Sequence, residues 1–147
     1  MSLPELDLTG DLPLGVHPAK LPEVLARFSR EPLARRIVGQ RLERVYHLAR
    51  GTGELARFIV FGSFVTSKPE PNDVDIFMVM KDSFDAGALV GELRLLFEHT
   101  AAQAHFGCSV FWVRKLAAIG GEQNTIEYWQ VRRDGEQRGI VEVIGDS

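Results

Sequence analysis

Residues 58–80 read FIVFGSFVTSKPEPNDVDIFMVM, and the fold depends on this stretch. An unbroken apolar run, Phe58–Phe61, enters a corner made by Gly62 and Ser63, and a second apolar run, Val74–Met80, follows a polar loop. Short apolar runs bounded by glycine, serine and proline are typical of buried strands. The stretch therefore predicts two strands joined by a loop, with a glycine-serine corner where the first strand ends.

Two aspartates, Asp73 and Asp75, stand at the start of the second predicted strand. Successive side chains on a strand point to opposite faces, so these two share a face while Val74 and Ile76 take the other. Their Cα atoms are expected about 6.5 Å apart. Both carboxylates could then bind one Mg²⁺, or a pair of ions about 3.5–4 Å apart.

The glycine-serine corner supplies what a phosphate group needs on the neighbouring strand. Gly62 has no side chain to block the approach of a ligand and can expose backbone N–H groups, and Ser63 adds a hydroxyl donor. An Asp-x-Asp pair can also simply cap a solvent-exposed turn. The upstream corner and the two flanking apolar runs favour a binding site over that alternative.

This arrangement resembles the nucleotidyltransferase superfamily of DNA polymerase beta, kanamycin nucleotidyltransferase and the small MNT-type antitoxins. The signature of that superfamily is Gly-Ser or Gly-Gly, a spacer of several residues, and Asp-x-Asp. Here Gly62 and Ser63 are followed by a nine-residue spacer, Phe64–Asn72, and then by Asp73 and Asp75.

A closer resemblance extends along nearly the whole chain. It includes Leu12–Pro18, which reads LPLGVHP, the run Gly62–Thr66, the run Pro71–Asp75, and Arg138–Val141, which reads RGIV. These segments are similar to those of a family of small bacterial nucleotidyltransferase-like proteins. That resemblance implies a fold more firmly than an activity.

The resemblance also implies roles for particular residues. Asp73 and Asp75 would hold Mg²⁺, and the glycine-serine corner would hold the β- and γ-phosphates of a nucleoside triphosphate (NTP). Lys68 or Arg138 would lend positive charge. The implied reaction is Mg²⁺-dependent transfer of a nucleoside monophosphate from an NTP to a hydroxyl acceptor.

One expected acidic residue is missing. Active members of the superfamily carry a third carboxylate on the next strand, which completes the metal site and serves as the base. The corresponding run here, Phe106–Val113, contains no Asp or Glu, and Ser109 falls near the expected position. Glu142 or Glu127 could stand in for it. Whether the chain is an enzyme therefore stays open.

The sequence leaves two candidate functions open. The first is a minimal nucleotidyltransferase. The second is a catalytically degenerate module of the same fold that binds a nucleotide or a protein partner, as an antitoxin-like regulatory component would. A toxin-like protein and a second copy of the chain are the candidate protein partners.

The order of predicted elements indicates a single α/β (α+β) domain over residues 1–147, with a small mixed sheet and helices packed against it. Residues 1–20 are predicted to form an extended arm. The predicted helices follow Pro22, span 32–51, 84–97 with a continuation to 104, and 125–131, and the predicted strands begin at Phe58, Asp73, Cys108 and Ile140.

Composition narrows the class of protein. The chain has 147 residues, is 45% hydrophobic and 25% charged, and contains no apolar run near the ~18 residues that a membrane span needs. The first residues lack the pattern of a signal peptide, and the lone Cys108 agrees with a reducing compartment. A cytoplasmic location is expected.

Charge is unevenly distributed along the chain. The net charge of −3 does not indicate a nucleic-acid binder. Residues 27–57 carry eight arginines against three glutamates, which makes this segment +5 and the remainder −8. Because aromatic residues are not interleaved with these charges, a solvated helix face is favoured over a nucleic-acid interface.

Overall fold

The computed structural model describes residues 3–117 and 138–145, and a five-stranded mixed sheet lies at its centre. The strands are β1 (Val16–Lys20), β2 (Leu55–Phe61), β3 (Val74–Met80), β4 (Cys108–Arg114) and β5 (Ile140–Ile144). Their order across the sheet is β1-β5-β2-β3-β4. The β1/β5 and β3/β4 pairs are parallel, whereas β2 is antiparallel to both β3 and β5.

Four α-helices accompany the sheet in the described ranges. They are α1 (Leu21–Phe28), α2 (Leu33–Gly51), α3 (Glu92–Leu96) and α4 (His99–Phe106). This mixed α+β architecture confirms the predicted fold class. No helix in the described part of the chain is long and apolar enough to cross a membrane.

The longest helix, α2, forms where the sequence predicts it, and the reason is its apolar spacing. Val38, Leu42, Val45 and Ala49 recur every three or four residues, and all four are at most 2% exposed. The helix stops where Gly53 adopts φ +73°, a conformation that glycine reaches without steric cost.

Both faces of the central strands are covered. On one face Phe58 and Val60 join the core cluster that contains the buried residues of α1 and α2. On the other face Ile59 joins Phe77 and Val79 in a second cluster. Because side chains alternate along a strand, Asp75 lies on the same face as Phe77, opposite to α2.

The N-terminal prediction is partly wrong. Residues 1–20 are not an arm throughout, because Val16–Lys20 forms an edge strand paired with β5. The preceding part is packed against the domain, as expected, since Leu3 and Leu12 are buried. Arg27 donates hydrogen bonds to the carbonyl oxygens of Leu3 and Pro4 at 3.3 and 2.8 Å.

The single helix predicted over residues 84–97 is also wrong. Gly91 adopts φ +64° directly before α3, and Ala86–Ala88 is an isolated 3-10 turn. The proposed continuation is instead the separate helix α4. β2 begins three residues before Phe58, and the predicted helix at 125–131 lies outside the described residues.

Candidate functional site

The corner after β2 lies directly against the first acidic residue of β3. Gly62 has φ +83°, and a Cβ atom placed on it would stand only 1.9 Å from Asp75 Oδ2. No other residue can occupy this position without moving the carboxylate, because real Cβ contacts are never this short. The predicted convergence of Gly62 and Asp75 is therefore present in the structure.

A serine on β4 connects the two aspartates. Asp75 is in register with Phe61 on β2 and with Ser109 on β4. Ser109 Oγ also lies 3.3 Å from Asp73 Oδ2, one residue before β3 begins. Both aspartates are only partly buried. Asp73 and Asp75 therefore meet at one end of the sheet, beside Ser109.

Ser109 occupies the place where the sequence predicts that a third acid is missing. Its hydroxyl lies 2.8 Å from Gln103 Oε1 on α4 as well as near Asp73, and its single proton serves one of these oxygens at a time. A hydroxyl of this kind is neutral at physiological pH. Across residues 3–117 and 138–145, no group of three or more His, Cys, Asp or Glu residues is arranged to hold a metal ion.

Of the two candidate substitute acids, Glu142 does not fill that place. Glu142 lies on β5 and forms a two-point ion pair with Arg57, with N–O distances of 2.9 and 2.5 Å. Its register partner is Ile59, three residues before the Gly62 corner. Glu142 is therefore engaged with β2, whereas Ser109 lies on β4, two strands further across the sheet. Glu127 lies outside the described residues.

The two predicted cationic residues differ in position. Arg138 directly precedes Gly139 and β5, so it lies at the same end of the sheet as Gly62. Its guanidinium is paired with the buried Asp11 at 3.4 Å. Lys68 is exposed in the loop after the corner, and no described contact brings its ammonium group to the aspartates. Its role as a phosphate ligand stays a prediction.

The segments that carry the closer resemblance are neighbours in space. Gly139 N–H donates to the Leu12 carbonyl at 2.9 Å, and a Cβ on Gly139 would stand 2.0 Å from the Pro13 carbonyl oxygen. His17 Nε2 lies 2.6 Å from that same oxygen. The LPLGVHP turn thus encloses the RGIV segment. The arm also reaches the loop after Ser63, since Ser67 N–H donates to the Gly10 carbonyl at 2.9 Å.

A buried arginine on α2 fixes the loop that leaves the corner. Arg35 is 7% exposed, and burial lowers the pKa of its guanidinium. Its two terminal nitrogens donate to four backbone carbonyl oxygens, three of which belong to the loop that follows Ser63. The acceptors are those of Phe28 at 3.2 Å, Phe64 at 2.8 Å, Thr66 at 2.5 Å and Lys68 at 2.5 Å.

The family of the chain is identified by a match over almost its whole length. The model of a family of unknown function, DUF6932, matches residues 4–144. The chain belongs to DUF6932. It has no significant match among curated proteins and none among solved structures. The family match includes the arm, the Gly62 corner, the aspartates and β5, so all the segments described above belong to one family unit.

The arginine-rich segment of this DUF6932 chain is not simply a solvated helix face, and that interpretation needs correction. Arg27 and Arg35 bind backbone carbonyls, and Arg57 pairs with an acid on β5. Arg36 and Arg44 form ion pairs with Glu31 and Glu92. Much of the local charge excess therefore stabilises the chain's own loops and strands.

Sequence reasoning did not single out one exposed cation of α2, Arg41. Arg41 projects from α2 towards Gly107, where its Nη1 atom would stand 2.9 Å from an added Cβ. The adjacent Cys108 thiol is buried, which raises its pKa to about 12, and Asp73 and Asp75 add to the rise while Arg41 opposes it. The raised pKa disfavours the thiolate, which is the nucleophilic form of cysteine. No local pattern marks Arg41, since its position depends on how α2 crosses the sheet.

Gly62→Ala tests the contact at the corner. The added methyl group must displace Asp75, and alanine is strained at φ +83°. We expect the free energy of unfolding to fall by about 2 kcal/mol, measured by urea denaturation. Gly51→Ala is the matched control, because nothing lies within 4 Å of its added Cβ. A Gly62→Ala variant as stable as the parent would contradict the described contact.

Proposed function

We propose that the chain binds an NTP together with Mg²⁺ at the end of the sheet where Gly62 meets Asp75, and transfers the nucleoside monophosphate to a hydroxyl acceptor. The observation that carries this proposal is the contact between a side-chain-free corner and a carboxylate, with a second carboxylate beside it. The same four residues match the Gly-Ser and Asp-x-Asp signature that the sequence shares with nucleotidyltransferases.

The donor set suits one Mg²⁺ ion. Mg²⁺ takes six oxygen ligands and is commonly held by one or two carboxylates, with substrate phosphates and water completing the set. Asp73 and Asp75 supply the protein's share of such a site. A second ion would need a further acidic ligand, and Ser109 offers only a hydroxyl. The proposal is therefore limited to a single-ion site.

Each residue at the corner has a task that follows from its chemistry. Gly62 leaves space for the polyphosphate, and the Ser63 hydroxyl donates a hydrogen bond to it. When bound, Mg²⁺ would neutralise phosphate charge and polarise the reacting phosphoryl group. In the transfer, the acceptor oxygen bonds to the α-phosphorus, the bond from that phosphorus to pyrophosphate breaks, and the acceptor proton passes to solvent.

Ser109 favours a second candidate function. General-base catalysis contributes about 10²–10⁴-fold to reactions of this kind, and a serine in place of the acid forgoes that contribution. A site that keeps its metal and phosphate ligands without the base would bind the nucleotide and release no product. In that case the chain acts as a regulatory or antitoxin-like module whose state depends on the bound nucleotide.

Pyrophosphate release and nucleotide binding, measured in parallel, separate these functions. The protein is incubated with each of the four common NTPs in Mg²⁺ or in EDTA. Mg²⁺-dependent binding with pyrophosphate release supports the transferase, and binding without release supports the regulatory module. The absence of any Mg²⁺-dependent binding would contradict both.

Ser109→Asp restores the missing acid in its predicted place. The new carboxylate would lie beside Asp73 and in register with Asp75, where it can accept the proton of the attacking hydroxyl. We expect pyrophosphate release to rise by about 10²-fold or more. Ser109→Asn is the control, because asparagine has the same shape as aspartate but no titratable group. If a folded Ser109→Asp variant and the Ser109→Asn control released pyrophosphate equally, position 109 would not be the place of the missing acid.

A further inference from the structure

A second cleft, separate from the Gly62 corner, lies between the arm, the junction of α1 with α2, and the loop after Ser63. Its volume is about 430 Å³. Three arginines, two hydroxyl-bearing residues and one glutamate supply its charged and polar lining. These are Arg27, Arg30, Arg35, Thr66, Ser67 and Glu31.

The positive charge beneath this cleft is not neutralised by an acid. Arg35 is buried, and its partners are four neutral carbonyl oxygens rather than a carboxylate. The lowered pKa of Arg35 has burial as its cause, with no acidic neighbour opposing the effect. A buried guanidinium without a counter-ion creates a field that attracts anions, because the low-dielectric interior screens it poorly.

The other two arginines extend this field to the surface. Arg27 uses its terminal nitrogens on the carbonyls of the arm. Arg30 is exposed and forms no ion pair or hydrogen bond with any other described residue. The one lining carboxylate, Glu31, has its side chain 76% exposed and lies 3.5 Å from Arg36, which is not part of the lining.

We propose that this cleft binds the phosphate group of a small phosphorylated ligand, with Arg30 as the direct ligand and Arg35 as a buried source of positive potential. Three arginines against one glutamate leave the lining at +2, which matches the charge of a phosphomonoester. The Ser67 hydroxyl supplies a further donor at the wall. A guanidinium fork pairs with two phosphate oxygens at once, which is why arginine is common in phosphate sites.

The site is also connected to the loop that leaves the Gly62 corner. Thr66 and Ser67 line the cleft, and the same loop is held by Arg35 from below. Phosphate binding here would stabilise residues 63–68 without contacting the aspartates. The proposal does not depend on the nucleotidyltransferase assignment, because no residue of the Gly62 corner or the Asp73–Asp75 pair lines the cleft.

Titration with inorganic phosphate and with phenyl phosphate, in EDTA and at constant ionic strength, tests this site. Arg30→Gln removes a charge that forms no ion pair or hydrogen bond within residues 3–117 and 138–145, so the fold should persist. We expect its affinity for both probes to fall about tenfold or more. Arg94→Gln is the matched control, because Arg94 is also exposed and lies outside the cleft. Asp73→Asn with Asp75→Asn should leave phosphate binding unchanged.

Three results would overturn the proposal. The first is that the parent binds neither probe at millimolar concentration. The second is that Arg30→Gln and Arg94→Gln reduce affinity equally, which would indicate a nonspecific charge effect. The third is that the double aspartate variant alters binding of phosphate in EDTA, which would place the anion at the Gly62 corner. Loss confined to Arg30→Gln supports the cleft.

Discussion

Arg35→Ala is expected to lower the free energy of unfolding by about 3–5 kcal/mol, the largest stability change that we expect from a single substitution in this chain. The side chain holds four backbone carbonyl oxygens that have no other described donor. Its removal leaves buried acceptors without partners, and each costs about 1–3 kcal/mol unless water reaches it. Urea denaturation measures the change.

The neighbouring arginine provides the control. Arg36 is also on α2, but its side chain is 54% exposed and its ion pair with Glu31 lies at the surface. Surface ion pairs contribute about 0–1 kcal/mol, so Arg36→Ala should be close to neutral. Arg35→Lys should be intermediate, because an ammonium group has three donors in place of the guanidinium fork. An Arg35→Ala variant as stable as Arg36→Ala would show that the four hydrogen bonds do not hold the loop.

The second large effect is expected at the acidic pair. With Mg²⁺ and an NTP at about 100 times its dissociation constant, binding should stabilise the parent by about 2.7 kcal/mol. Asp73→Asn together with Asp75→Asn should abolish this stabilisation, because the amides keep the shape of the side chains but lose the negative charge that holds the ion. In EDTA the variant should be as stable as the parent or slightly more, since two like charges no longer repel.

Thermal unfolding in Mg²⁺ and in EDTA measures both parts of that expectation. Glu70→Gln with Glu98→Gln is the charge-matched control, because both glutamates are exposed and the same two negative charges are removed. The control should retain the full ligand-induced stabilisation. If the control and the aspartate variant lost the ligand-induced stabilisation equally, that loss would result from the change in net charge rather than from removal of a metal site.

The parts of the fold that sequence predicts well are those set by local periodicity. α2 is identified by apolar residues at helical spacing, and β2 and β3 by apolar runs on both sides of a glycine-serine corner. β1 was missed because five residues that include Pro18 carry no clear strand pattern. Its partner, β5, is more than a hundred residues away along the chain, so only tertiary pairing makes it a strand.

The prediction of a single helix over residues 84–97 is wrong for a related reason. The apolar stripe over residues 84–97 favours one helix, but Gly91 adopts a positive φ that a continuous helix does not allow. The helix propensity of the flanking residues does not reveal that the chain breaks at Gly91. This break depends on the docking of α4 against β4 and of α3 against α2 and α4, which is a property of the assembled domain.

In the candidate site, too, features set by local sequence could be predicted and features set by tertiary contacts could not. The contact of Gly62 with Asp75 follows from strand alternation and turn chemistry, and so does the position of Ser109. Whether Glu142 could stand in for the third acid could not be predicted, because its partner, Arg57, lies on a neighbouring strand that is distant in sequence. The role of Arg35 could not be recognised either, since three of its four acceptors lie in a loop 29–33 residues away along the chain.

Whether Asp73 and Asp75 hold Mg²⁺ and a nucleotide is tested most directly by isothermal titration calorimetry. An NTP is titrated into the parent protein, first with Mg²⁺ and then with EDTA. We expect saturable binding in Mg²⁺ that EDTA removes and that is at least 100-fold weaker in the Asp73→Asn, Asp75→Asn variant. Three outcomes would contradict the assignment of these aspartates to a metal and nucleotide site: no binding by the parent, parent binding that EDTA leaves unchanged, or an affinity of the variant in Mg²⁺ equal to that of the parent.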